Sequence, residues 1–345
     1  MENPVRTTTL KVVKRAEDVK INQEKIEKLA KKLAISKIVV SVWPKEYHLQ
    51  TNNQQMMLDY LILLDALNFC FWNEDKRWTI NYKGKKYNGY FALSLTLKKF
   101  FGENPKKASL EYFSKISFKE FKEILQGGRN LLFLNVVKKQ GSAGGRLLFL
   151  KERWQIARTV SSVLIKKYKN SVNFVNSANH KLSILVPKIQ KELPFFDDIA
   201  DYNGKKVYFL KRAQILGSDI WGALDGGRSS FAKASEDKRI GYFKDLDYLT
   251  AFADYKIPQI LYHFGILEYS DNLERKIGNK IIIPSKSKEE IEIRSATIWA
   301  VEYLKEALTK LGKNFHSFQI DWILWNKSQK LKMKMPYHLT KTIFY

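Results

Sequence analysis

A single cysteine in 345 residues rules out an intramolecular disulfide. Cys70 also lies inside the apolar run 67–72, so a reducing interior, the cytoplasm, is the expected setting. Histidine is nearly as sparse. His48, His180, His263, His316 and His338 stand too far apart for a local zinc-ligand pair, and no metal site is expected. No apolar run is long enough to cross a membrane, because the longest, 58–72, is broken by Asp59, Asp65 and Asn68. Residues 1–20 mix Glu2, Arg6, Lys11, Lys14, Arg15 and Asp18 without an apolar centre, so no secretory signal is expected there. Acidic residues are the minority among charges, 35 against 60 Lys and Arg, a net +25. Such a charge draws polyanions or phosphorylated ligands but does not choose a fold.

What the chain does have is core material, 45% hydrophobic and 13% aromatic, which excludes a wholly disordered protein. Its clear periods are helical. Ile26, Leu29 and Leu33 follow Asn22, a good N-cap, and predict a helix over 22–34. Phe113, Ile116, Phe121, Ile124 and Leu125 form a second stripe stopped by Gly127-Gly128. Ala157, Val160, Leu164 and Tyr168 make a third, and Trp299, Tyr303, Leu304 and Leu308 a fourth running toward Gly312. Strand signals are short: 77–82 with 85–90 around Lys83-Gly84 reads as a hairpin, 205–210 follows Asn203-Gly204, and 278–284 carries three isoleucines. The expected fold is mainly α with short β-hairpin elements, one domain over 1–345. Glycine-rich 127–146 and small, polar 226–238 read as surface insertions. Neither has the GxxxxGK[ST] spacing of a phosphate loop, and no cofactor is expected.

Three constellations place polar groups among aromatics. In LLDALNFCFW (63–72), Asp65 and Asn68 interrupt an apolar run at helical spacing, so they crosslink the core or face a ligand. In LTAFADYKIPQIL (249–261), Pro258 suits a first helical turn and disfavours helix just before it, so the chain should break after Asp254 and a helix run from about 258 to a stop at Gly265. That sets Asp254 at the positive end of a helix beside Phe252 and Tyr255, either as a carboxylate kept ionised in a pocket or as a plain cap. In DWILW (321–325), Asp321 stands among large aromatics, as a flat hydrogen-bonding ligand or an ordinary amphipathic helix would have it. The pair Lys211-Arg212 can hold a phosphate, or Arg212 can be a core arginine paired with Asp219 or another carboxylate.

These segments, with YNGYFAL (87–93), KERWQIARTVSSVL (151–164), LKRAQILGSDIW (210–221) and EIRSATIWAVE (292–302), resemble the queuosine salvage protein family, in family order from about residue 20 to the aromatic end. The resemblance implies an all-helical fold like that of helix-hairpin-helix DNA glycosylases, and hydrolysis of the N-glycosidic bond of queuosine 5′-monophosphate with release of queuine for reinsertion into tRNA. It implies that Asp254, in the FxDY motif, is the catalytic carboxylate, that Phe252 contacts the base, and that His48 and Asp321 are binding residues. Where the family commonly has Tyr after that acid and Asp just after LW, this chain has Trp322 and Asn326, departures that bear on how the base's cyclopentenediol and ammonium arm is held. Asp254 as electrostatic stabiliser, base for water or nucleophile stays open. Lys211, Arg212 and Lys256 are phosphate candidates from charge alone. The expected partner is this small nucleotide, met by a monomer without a stable nucleic-acid partner or membrane.

Two other classes compete. A sequence-nonspecific nucleic-acid binder would use the +25 charge and the aromatics, but the lysines are scattered rather than patterned. A helical DNA-repair glycosylase would release base from damaged duplex rather than from a mononucleotide.

Overall fold

The computed structural model describes residues 2–36, 43–74, 76–125, 145–224, 226 and 239–345. Among these, the helices in chain order are α1 (Pro4–Val13), α2 (Gln23–Ile35), α3 (Gln54–Ala66), α4 (Gly89–Glu103), α5 (Leu110–Lys115), α6 (Phe118–Leu125) and α7 (Leu150–Tyr168). They continue with α8 (Ser171–Asn176), α9 (Leu182–Glu192), α10 (Lys211–Ala223), α11 (Lys256–His263), α12 (Asp271–Gly278), α13 (Lys288–Lys310) and α14 (Ser317–Ser328). Strands β1 (Val19–Ile21), β2 (Thr79–Tyr82), β3 (Lys85–Asn88), β4 (Ile199–Tyr202), β5 (Lys205–Tyr208) and β6 (Leu267–Tyr269) form three antiparallel ribbons, β1 with β6, β2 with β3 and β4 with β5. The protein is therefore mainly helical. The two tight hairpins turn on Lys83-Gly84 and Asn203-Gly204, each pair with positive φ at both positions, the turn whose twist matches paired strands.

Helix α3 is the central strut: every residue from Met57 to Ala66 is buried, and it packs on α4, α7, α8 and α10. A second apolar cluster gathers α2, α11, α12, α13 and α14, with α13 crossing between the two. The end of α3 explains three buried cations. Helix termini leave carbonyls without partners, and their dipole favours positive charge. Arg153 of α7 donates to the carbonyls of Leu67, Phe69 and Cys70, and Arg212 of α10 to those of Ala66 and Phe195. Lys211 Nζ donates to Asn68 O at 3.0 Å.

Several expectations hold: α2 starts at its Asn22 cap, α7 and α13 carry the third and fourth stripes, the hairpin around Lys83-Gly84 forms, and the strand after Asn203-Gly204 forms over 205–208, paired with β4. Two need correction. The stripe over 113–125 is two helices, because Ser117 Oγ accepts from Glu120 N–H and Glu120 Oε2 accepts from Ser117 N–H, each at 3.2 Å, a capping box that starts α6 afresh. Residues 278–284 are not a strand: Gly278 closes α12, and the residues beyond it make one isolated bridge, Ile282 with Leu339. The Gly127-Gly128 stop and both insertions lie outside the described residues, except 145, 146 and Gly226.

Candidate active site

The chain breaks before α11 as Pro258 requires, although the helix begins two residues earlier, with Pro258 in its first turn, and ends before Gly265 at φ +72°. Asp254 Oδ1 accepts from the backbone N–H groups of Lys256 (2.7 Å) and Ile257 (2.9 Å). It thereby caps α11 and also lines a cavity of about 310 Å³, so cap and pocket carboxylate are one residue with two duties. Burial raises its pKa, while Lys211 and the two N–H donors favour the charged form.

The turn bearing Asp254 is held from both sides. Arg294 of α13 donates through Nε to Ala253 O at 3.0 Å and through its two terminal nitrogens to Asp198 at 2.9 and 2.6 Å. Asp198 in turn accepts from Lys211 N–H at 3.1 Å, fixing the start of α10. From α14, Asp321 Oδ2 accepts from Phe252 N–H at 2.9 Å. Asp321 is buried, and burial first, then the charge of Asp254, hold its carboxyl well above the usual range.

Phe252, Asp254, Tyr255, Lys256, Lys211, Asp321, Trp322, Asn326 and His48 all line this one cavity. His48 stacks on Trp43 with ring centroids 3.8 Å apart and shares a 3.1 Å hydrogen bond between Nδ1 and Tyr60 Oη. Burial pushes its pKa down to about 3, so it meets a ligand as a neutral imidazole. Trp322 lies close over α10 because Gly222 stands beneath it; a Cβ there would be 3.1 Å from the indole. Lys211 is 4% exposed, and burial lowers its pKa to about 8, opposed mainly by Asp254.

Arg212 is the correction. It does not line the cavity, and its guanidinium is committed to the Ala66 and Phe195 carbonyls, so it is a core arginine serving carbonyls rather than a carboxylate. Adjacent residues on a helix point about 100° apart, which sends Lys211 into the cavity and Arg212 behind it. Sequence reasoning missed Arg77, whose Nη2 donates to Tyr337 Oη at 3.2 Å while Lys256 sits over the same ring, 5.4 Å from its centroid. Asn68, singled out only as a core or ligand residue, and Asp219, Tyr90 and Trp325 line the cavity as well. Among the described residues no three His, Cys, Asp or Glu side chains are grouped to hold a metal, and no helix is long and apolar enough to cross a membrane.

Fold and site together define a mainly helical protein with a small-molecule cavity, walled by aromatics and furnished with buried carboxylates and a lysine, the equipment of an enzyme that handles developing charge. The chain belongs to the queuosine salvage protein family, whose model matches residues 47–345. It is 37% identical over 343 residues to the queuosine 5′-phosphate N-glycosylase/hydrolase of Sphaerobacter thermophilus, covering 99% of this chain and 97% of that one. The proteins of the same name from Dictyostelium discoideum and Mus musculus are 32% and 29% identical, covering 99% and 97% of this chain and 98% and 96% of theirs.

Proposed function

We propose that the protein hydrolyses the N-glycosidic bond of queuosine 5′-phosphate and releases queuine. The observation that carries this reading is the meeting of Asp254, Phe252 and Asp321 at the break before α11, in one cavity of a chain so similar to enzymes of that name.

Breaking the bond from C1′ to the base nitrogen leaves positive charge on the ribose, and a carboxylate already in place stabilises that charge more in the transition state than in the ground state. Asp254 supplies it. Its Oδ1 is fixed by two backbone donors and its charge is supported by Lys211, so little reorganisation accompanies reaction. The water oxygen bonds to C1′ and gives up a proton, the electron pair of the breaking bond leaves with the base, and the base nitrogen takes up a proton, so that water is consumed and the free base and ribose 5-phosphate are the products. A 7-deazaguanine has no ring nitrogen at position 7 to protonate, so hydrogen bonding at its guanine-like edge matters more. Asp321 takes the donors of that edge, Phe252 packs on the base and His48 adds a neutral hydrogen-bonding group. Tyr255, Trp322 and Asn326 complete the walls. Lys256, with Arg77 beside it, takes the 5′-phosphate; Lys211 serves Asp254 instead.

In this reading the chain acts as one domain and as a cytoplasmic monomer, without cofactor or stable nucleic-acid partner, and its helices share the helix-hairpin-helix glycosylase plan. The test is incubation of purified protein with queuosine 5′-phosphate, following free base by chromatography. Base release supports the reading; none from the mononucleotide, with release from damaged duplex or salt-sensitive RNA binding instead, refutes it.

A further inference from the structure

Helix α10 lays Lys211, Ile215 and Asp219 along the cavity at four-residue intervals, so one stripe of the helix forms a wall. From Lys211 to Asp219 the helix rises about 12 Å. Lys211 marks the end of the wall beside Asp254, and Asp219 marks the far end.

That far end is chemically incomplete. Asp219 is 4% exposed, lines the cavity, and has one oxygen, Oδ2, without a hydrogen-bond partner among the described residues; the other has a long 3.4 Å contact from Ser218 Oγ. Behind it Asp65 of α3 is fully buried, and neither of its oxygens makes a hydrogen bond by ordinary geometry. Buried carboxylates are normally paired or fully hydrogen-bonded, since leaving one bare costs free energy. Aromatic rings surround this end. The hydroxyl of Tyr90 lies against Asp219, its ring is 5.7 Å from that of His48, and His48 stacks on Trp43. Gly222, one turn beyond Asp219, lets both Trp43 and Trp322 close in. The corner suits a cation with N–H donors carried on an apolar stem.

We propose that Asp219, backed by Asp65, is the specificity-determining residue that receives the positively charged amine of the substrate's side arm. The assignment rests on the reading given under Proposed function: queuosine 5′-phosphate carries at position 7 of its base an aminomethyl arm ending in a cyclopentenediol, and that amine is protonated near neutral pH. Asp254 then meets the sugar, Asp321 the guanine-like edge, and Asp219 the arm. Burial pushes the Asp219 carboxyl up to about 7 against the opposing pull of Ser218, Lys211 and Tyr90, and burial, then the charge of Asp219, holds that of Asp65 well above the usual range, so an ammonium in this corner adds to the partial compensation that Lys211 and Arg212 give the two acids.

The test is binding of free bases, which needs no catalysis. Dissociation constants for queuine, 7-aminomethyl-7-deazaguanine and 7-deazaguanine are measured by calorimetry on the unaltered protein and on Asp219→Asn. The unaltered protein is expected to prefer both amine-bearing bases over 7-deazaguanine by about 10–100-fold, and Asp219→Asn to lose most of that preference while still binding 7-deazaguanine, which also shows that the variant is folded. An equal loss for all three bases, or no loss, overturns the assignment. Preference for queuine alone overturns it too, because the diol and not the amine would then be recognised. A preference that depends on Asp219 in a protein that cleaves no nucleotide supports the subsite and refutes the hydrolase reading, so the two failures are separable.

Discussion

Replacing Asp321 with asparagine tests how the base is gripped. Its Oδ2 accepts from Phe252 N–H at 2.9 Å, and an asparagine oxygen can keep that bond, so the turn leading to Asp254 stays in place. What changes is the group offered to the cavity: an uncharged amide replaces the carboxylate that, in the proposed function, meets the two N–H donors of a guanine-like edge. A hydrogen bond to a charged acceptor contributes about 1.5–3 kcal/mol, which converts to a fall in kcat/KM of about 10–200-fold. Steady-state base release from queuosine 5′-phosphate measures it. A parallel assay with a substrate lacking the 2-amino group should show a smaller effect, since one of the two donors is already gone. Asp321→Ala adds a structural loss, leaving the buried Phe252 N–H unpaired at about 1–3 kcal/mol, visible as a lower Tm. Activity of Asp321→Asn within about twofold of the parent, or an equal loss on both substrates, would refute the assignment.

The same geometry sets other expectations. Arg77→Ala or Lys256→Ala should raise KM for the 5′-phosphate about tenfold and leave the free nucleoside nearly unchanged; equal effects on both would remove these residues from the phosphate site. Asp254 and Asp321 both have raised carboxyl pKa values, and the proposed mechanism uses both ionised, so kcat/KM should be full above those values and fall as pH drops through them, with the acid limb above the ordinary carboxylate value of about 4. The Asp219 carboxyl, raised from 3.8 to about 7, keeps its proton in the folded state where the unfolded chain has lost it, so this group's contribution to stability is largest at low pH and declines as pH rises from about 4 to 7. Asp219→Asn should flatten that decline and raise Tm at pH 8, by up to about 4 kcal/mol in stability; an unchanged slope would show that the pair is not buried in this way. Arg294→Met would strand Asp198 and Glu290 without their cation and should cost about 3–5 kcal/mol in chemical unfolding, with a large loss of kcat; a near-neutral effect would contradict the bracing of the Asp254 turn.

The site was most legible where local rules act. Pro258 alone predicts the break that exposes Asp254, and the Asn22, Asn203-Gly204 and Lys83-Gly84 signals specify a cap and two turns that need little from the rest of the chain. The capping box at Ser117 and Glu120 was equally local, yet it was masked by an apolar stripe that keeps its period across the break. Arg77 and Asp219 gave no such signal, since they reach the cavity through a hairpin flank and the third turn of a helix whose neighbours are distant in sequence. The roles of Lys211 and Arg212 were likewise set by tertiary placement: the end of α3 demands a cation for its carbonyls, and Arg212 faces that way. The carboxylates of the family motifs both line one cavity, and their division between capping and turn support needed the fold.

The most direct measurement is the single-turnover rate of base release from queuosine 5′-phosphate by Asp254→Asn beside the parent protein. The asparagine oxygen can keep both hydrogen bonds from α11, so the substitution removes charge and little else. A unit charge about 4 Å from a cationic ribose at an effective dielectric constant of about 20 amounts to about 4 kcal/mol, or about a thousandfold in rate. A loss of that order, with substrate binding retained, is the expected result. Release within about tenfold of the parent rate would contradict it, and would move the catalytic charge away from Asp254.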